Sequence, residues 1–242
     1  MLILGTMSAG LKRRDVIKSG LFGAATLALP ARALADPLAD AFDKTFAGPA
    51  TPAGPVTPPI TVPAMPEPNP AYERRVLEIA QREVARAGNA VWRKDIAGIA
   101  DFARPSSLPR FHFANLENGT VRSFLVAHGK GSDPEHSGWL QTFSNIVGSE
   151  ATSRGGYLTC EWYNGKYGTS IRLVGLDSDN SLALDRAIVV HPAWYVDPAM
   201  ISKWGKIGRS EGCFAMSPAD FNEALWHLSG GRLLYADRIT LA

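Results

Sequence analysis

The segment Gly208-Arg209-Ser210-Glu211-Gly212-Cys213-Phe214-Ala215-Met216 holds the cysteine whose neighbours suit chemistry. A glycine directly before a cysteine lets the backbone turn sharply and leaves room above the sulfur. It also leaves the consecutive amides of Gly212 and Cys213 free to face a carbonyl oxygen on which negative charge develops. A nucleophile backed by an oxyanion hole has those requirements. An unperturbed thiol, with a pKa of about 8.5, is mostly protonated at neutral pH and needs a base or a cation beside it. Arg209 and His191 are the candidates. The other cysteine, Cys160, sits between Thr159 and Glu161 in a strand-like run, where a thiol behaves as a small hydrophobe. Two cysteines in an exported chain also allow a Cys160–Cys213 disulfide. The unequal contexts favour a free, reactive Cys213.

Other chemistries lack their residues. No group of histidine, cysteine and acid carries metal-ligand spacing, so neither a metal nor another cofactor is expected. Gly129-Lys130-Gly131-Ser132 lacks the helix-opening Gly-Lys-Ser/Thr pattern of a phosphate loop. His112, His136 and His227 read as strand, loop and helix-surface positions without a chemical role.

The elements that must position Cys213 and His191 begin at residue 71. Asn69-Pro70 is an N-cap and first helical residue, with Gly88 as the stop. Tyr72, Val76, Ile79, Ala80, Val84 and Ala87 recur between them at helical spacing, which makes this a packing helix. The period then shortens. Phe111–Phe113 and Val121–Val126 flank an Asn118-Gly119 turn, and Tyr157–Tyr163 and Ser170–Val174 flank a second one at 164–168. Arg186–His191 is a buried-type strand ending on the histidine. Ser217-Pro218-Ala219-Asp220 caps a short helix with Phe221, Leu225 and Leu228 inward, and Leu233–Tyr235 is the last strand. The expected class is mainly β (a β-rich α+β fold), one domain over 71–242 with helices at its periphery.

The 242 residues, 45% hydrophobic and 20% charged, exclude wholesale disorder and collagen-like repetition. The formal charge of +2 misleads. Residues 1–35 hold five basic side chains and one acid, so the remainder carries 20 basic against 22 acidic groups. A mildly acidic working protein lacks the electrostatic basis for a nucleic-acid partner. Those first residues describe an export signal: Lys12-Arg13-Arg14-Asp15-Val16-Ile17-Lys18, a small and apolar run from Gly20 to Leu29, and Ala33-Leu34-Ala35 as the cleavage pattern. The paired arginines match the twin-arginine route, which exports folded proteins and predicts cleavage near Ala35 and a periplasmic location. Residues 36–70 follow as a proline-rich linker, and nine of the 17 prolines fall within 47–70. Fixed proline φ values there favour a stiff, extended spacer.

Val190-His191, followed 22 residues later by Cys213 in Gly208-Arg209-Ser210-x-Gly212-Cys213, resembles the L,D-transpeptidases of bacterial cell walls, the YkuD-type enzymes. The blocks 101–107, 125–132, 143–149, 156–159 and 186–191 look like the larger Gram-negative branch, the murein L,D-transpeptidase catalytic domain. Three positions depart from that pattern: Pro192 stands where glycine usually follows the histidine, Glu211 where an aromatic or basic residue is common, and Phe214 where proline is common.

The resemblance implies a two-step acyl transfer on peptidoglycan stem peptides, which serve as donor and acceptor. Cys213 attacks the carbonyl of an L-residue that precedes a D-residue, and His191 serves as base. Gly212 and Cys213 supply the oxyanion hole, with Ser210 and Arg209 in support and a carbonyl near Pro192 orienting the imidazole. Tyr157 and Trp194 are implied to line the substrate groove, and His128, in its Ala-His-Gly context, either lines it or serves packing. Acylation of Cys213 by carbapenems is implied, and a monomer is expected. Departures at the rim favour the L-alanine–D-glutamate junction as donor over the diaminopimelate–D-alanine one. The diaminopimelate side-chain amine is the acceptor in both cases. The alternatives are a cysteine endopeptidase or carboxypeptidase that delivers the same thioester to water, and a non-enzymatic wall-binding module.

Overall fold

A computed structural model of the chain describes residues 69–239. The export signal and all but the last two residues of the 36–70 linker lie outside the described residues. Within them, eight strands form one open sheet of order β3-β2-β1-β8-β4-β5-β6-β7, with three α-helices at its faces and edge, a mixed α+β domain. No described helix is long and apolar enough to cross a membrane.

Helix α1 (Pro70–Ala87) starts where Asn69 accepts the amides of Ala71 and Tyr72, and it stops at Gly88, whose φ of 57° is left-handed. Its buried Val76, Ile79, Ala80 and Val84 pack on Ala97, Ile99, Ala114 and Leu233. Strand β1 (Ile96–Asp101) turns Ile96 and Ala100 to the other face, into a second core with Phe111, Phe113, Tyr157, Ile171 and Phe214. Helix α3 (Pro218–Leu228), capped by Ser217, closes that face with Phe221, Ala224 and Leu228. Gly98 marks how close the packing is, since a Cβ there would lie 3.0 Å from Leu228 Cδ2. A strand covered on both faces shows no alternation of polar and apolar residues, so β1 carries no period-two signal in the sequence.

The hairpins form as their turn residues dictate. Strands β2 (Phe111–Asn115) and β3 (Thr120–Phe124) join through Gly119, at φ 69°. Strands β4 (Gly155–Gly165) and β5 (Gly168–Gly175) form the second hairpin, with a bulge between Thr159 and Trp162. Strand β8 (Leu233–Asp237) inserts centrally, parallel to β1 and antiparallel to β4. At the far edge, β6 (Val189–Pro192) and β7 (Phe214–Met216) are parallel. The short helix α2 (Pro198–Trp204), capped by Asp197, lies in the crossover between them.

The expected strand 186–191 is shorter than its sequence suggests. Ala187 sits at φ 51°, and the amides of Arg186, Ala187 and Ile188 bond to Leu182, Leu184 and Ala183 carbonyls, so the segment turns before the strand begins at Val189. All six tryptophans are exposed, from 48% for Trp139 to 77% for Trp194 and Trp226.

Candidate active site

His191 projects from β6 and is 2% exposed. Its Nδ1 lies 2.9 Å from the Pro192 carbonyl, which can only accept, so Nδ1 carries the proton and Nε2 presents a lone pair. Burial holds the imidazole below its usual pKa, partly offset by that carbonyl. A neutral imidazole with one unoccupied nitrogen is the form a general base needs. The ring of Tyr167, from the β4–β5 turn, stacks on it at 4.5 Å between centroids and 20° between planes.

Cys213 directly precedes β7. The parallel register pairs His191 with Ala215 and Val190 with Phe214, which sets Cys213 opposite Val189. Ala215 therefore shares a face of the strand pair with His191, and Cys213 stands two residues before it, at the entry to β7. Both cysteines are free. The thiol is 6% exposed, and its hydrogen-bond partner is the Ala187 carbonyl at 3.6 Å rather than His191. Burial pushes the thiol up to about 11; the Val189 amide lowers it, Glu211 raises it and Arg186 lowers it. The resting site is thus a protonated thiol beside a neutral imidazole.

The turn that carries Cys213 is held from within. Ser210 Oγ donates to the Cys213 carbonyl at 2.6 Å and accepts the Gly212 amide at 3.2 Å. Gly212 adopts φ 114°, a left-handed value that only glycine takes without strain. The expected free amide at Gly212 is therefore engaged, and Ser210 braces the turn instead of facing an oxyanion. The Cys213 amide has no hydrogen-bond partner among the described residues. Behind the turn, the Ser210 amide donates to the His128 carbonyl and the Lys130 amide to the Ser210 carbonyl, docking it on segment 128–130.

Several residues expected at the site lie elsewhere. Arg209 turns its guanidinium to the carbonyls of Asp133 and Pro134. His128 is 1% exposed with both ring nitrogens engaged, so it lines no groove. Arg110 Nη2 lies 2.7 Å from His128 Nδ1 and can only donate, which leaves Nε2–H facing Asp133 Oδ2 at 3.3 Å. Burial, then Arg110, pushes His128 down to about 3. Tyr157 is a core residue whose hydroxyl donates to the Ser153 carbonyl at 2.8 Å, while Phe214 packs edge-on against it and is as buried. Trp194 does lie exposed, two residues beyond Pro192.

Three residues gain importance from the fold. Tyr167 covers His191 and donates its hydroxyl to Glu211 Oε2 at 3.1 Å. Glu211, with a side chain 54% exposed, also lies 3.7 Å from Lys130 Nζ. Arg186 reaches from the turn before β6 to the loop 144–153. The sequence carried a faint signal for two of them: an aromatic at a hairpin tip, and an arginine opening an otherwise apolar run. No group of three or more histidine, cysteine or acidic side chains among the described residues could hold a metal ion.

The open mixed sheet thus ends in a histidine-bearing strand beside a glycine-cysteine turn. The chain belongs to the L,D-transpeptidase catalytic domain family, whose model matches residues 69–236. Solved structures with similarity include an L,D-transpeptidase from Mycobacterium smegmatis, 16% identical over 59% of this chain and 58% of that one, TM-score 0.37. A variant of the helical cell shape determining protein Pgp2 from Campylobacter jejuni is 13% identical over 69% and 57%, TM-score 0.39. An L,D-transpeptidase from Stackebrandtia nassauensis is 13% identical over 65% and 64%, TM-score 0.34. The chain thus spans about three fifths of the length of these structures. No curated protein matches it in sequence.

Proposed function

We propose that this chain is an exported peptidoglycan L,D-transpeptidase acting in the periplasm, with Cys213 as nucleophile and His191 as base. The supporting observation is the β6–β7 register, which brings Cys213 to the strand entry opposite Val189, two residues before His191, whose Nε2 is unprotonated and unoccupied. In the first step Nε2 takes the thiol proton as Sγ attacks the carbonyl of the L-residue. The thiol rests protonated, so proton removal accompanies attack. The oxyanion is held by the Cys213 amide. Collapse breaks the amide bond, and the imidazolium returns its proton to the departing D-residue amine. In the second step His191 accepts a proton from the diaminopimelate side-chain amine as that nitrogen attacks the thioester, forming the cross-link and releasing the thiol.

The donor junction we assign is L-alanine–D-glutamate. Exposed Trp194 and Glu211, both at the rim of the site, support a donor preference of its own. Incubating the mature protein with purified muropeptides and sequencing the products by tandem mass spectrometry tests the assignment. L-alanine–diaminopimelate dimers are expected. Diaminopimelate–diaminopimelate dimers alone would move the donor site, and shortened monomers alone would make the enzyme a hydrolase. Incubation with a carbapenem should add the mass of an acyl adduct at Cys213.

A further inference from the structure

The guanidinium of Arg186 is held by four neutral oxygens. Nη1 donates to the Ser144 carbonyl at 2.6 Å and Ser153 Oγ at 2.5 Å; Nη2 donates to the Ala151 carbonyl at 2.5 Å and Ser149 Oγ at 3.3 Å. Seven of the 14 described arginines instead meet a carboxylate, as Arg86 meets Asp177 and Arg232 meets Asp95. No acid lies within ion-pair distance of Arg186 among the described residues. Its charge is fixed in place by dipoles and left without a counter-ion.

That charge lies under the nucleophile turn. A Cβ on Gly212 would stand 3.3 Å from Arg186 Nη2 and 2.9 Å from the Ala151 carbonyl that Nη2 holds. Gly212 is thus glycine for two reasons, its left-handed φ and the guanidinium against it. A half-buried cation satisfied only by neutral acceptors interacts strongly with any anion that forms nearby, because little water screens it. The anions formed here are the Cys213 thiolate and the tetrahedral oxygen of each acyl step.

We propose that Arg186 is a positioning residue that acts electrostatically on Cys213: its uncompensated guanidinium, locked beneath Gly212, favours the negatively charged sulfur and oxyanion during acyl transfer. The proposal rests on Cys213 being the nucleophile. The other ionisable groups around the sulfur are Glu211, Tyr157, Tyr195 and His191, and only Arg186 opposes the rise caused by burial and Glu211 with a positive charge.

The test measures the rate of Cys213 alkylation by iodoacetamide against pH, in full-length protein carrying Cys160→Ser so that one thiol reports. Arg186→Gln is expected to raise the midpoint, with a few-fold loss of thiolate at fixed pH. Arg186→Lys keeps the charge and should recover most of the parental profile. Ser149→Asp leaves the arginine in place and gives it a counter-charge beside Nη2, and it should move the midpoint in the same direction as Arg186→Gln. An arginine that only staples the loop 144–153 predicts otherwise: lower melting temperatures for both Arg186 variants, equal activity losses, and an unmoved alkylation midpoint. That pattern, or an unmoved midpoint in folded Ser149→Asp protein, overturns the proposal. Transpeptidation that survives Cys213→Ala would overturn the nucleophile assignment separately, since alkylation reports on the thiol whatever its role.

Discussion

Three histidines are buried in this domain to nearly the same degree, and they belong to two regions that use them in opposite ways. On the β1–β3 side, His112 Nε2 lies 2.9 Å from the Tyr72 hydroxyl and Nδ1 lies 2.8 Å from Ser123 Oγ. Tyr72 donates to Asp101 Oδ2 at 2.6 Å, so it must accept from His112 Nε2–H, and Ser123 donates to Nδ1. His128 is saturated in the same manner by Arg110 and Asp133. At the β6–β7 edge, His191 has one nitrogen engaged and one spare. Burial alone does not separate a structural histidine from a reactive one. The count of occupied ring nitrogens does, because a proton acceptor needs a lone pair that no neighbour has claimed.

The contrast is broken most directly through activity. Cys213→Ala is expected to abolish muropeptide cross-linking, by at least about 10³-fold, and His191→Ala to lower it by roughly 10²–10⁴-fold, both read by chromatography of the products. Both proteins should remain folded, with His191→Ala within about 1 kcal/mol of the parent. Full activity in the His191 variant would reassign the base.

Acid should then separate the regions through stability. His112 and His128 are pushed down to about 3, chiefly by burial, while in the unfolded chain they titrate near 6.5. Above that pH both states are neutral and nothing is lost. As pH falls from about 6.5 toward 3, the unfolded chain gains protons that the native one refuses, and stability drops. At pH 4.5 each histidine contributes a loss of about 2.7 kcal/mol at one pH unit per 1.36 kcal/mol. Urea unfolding followed by far-ultraviolet circular dichroism at pH 7 and 4.5 checks this. A midpoint independent of pH in that range would mean that the two rings are not held neutral.

His128→Leu sharpens the comparison at a single residue. It removes one of the two acceptors of Arg110 Nη2, which keeps the Val126 carbonyl, and a donor to Asp133, with an expected cost of about 3 kcal/mol. A loss no larger than that of His191→Ala would erase the distinction between the regions. The smallest effect belongs to Glu211→Gln, which removes a carboxylate that raises the thiol's pKa. Because that side chain is half exposed and screened, only a few-fold faster alkylation of Cys213 at fixed pH is expected.

Local signals carried much of this into the sequence. Asn69-Pro70 and Gly88 bound helix α1, and Asn118-Gly119 makes the first hairpin, because each depends on neighbours within a few residues; Gly212-Cys213 and His191 stand out by residue type. What the sequence concealed depends on distant partners. His112 looked bland because Tyr72 lies 40 positions away, and His128 could be read as a groove residue because its Arg110 partner lies 18 positions away, just before β2. Tyr157 and Phe214 sit in motif blocks yet pack in the core, since a motif does not reveal which way a side chain points. The parallel pairs β1–β8 and β6–β7 join segments far apart in the chain, and no turn residue announces them.

The outward placement of all six indoles has an optical consequence. Tryptophan emission reports the polarity around the ring, and most folded proteins shift it to longer wavelength when a buried indole meets water. Here the indoles already meet water in the native state, so intrinsic fluorescence should change little in wavelength when the domain unfolds. A soluble quencher should reach the rings almost as well before unfolding as after it. Conversely, a partner that covers one of these rings should shield it, giving a blue shift where unfolding gives almost none.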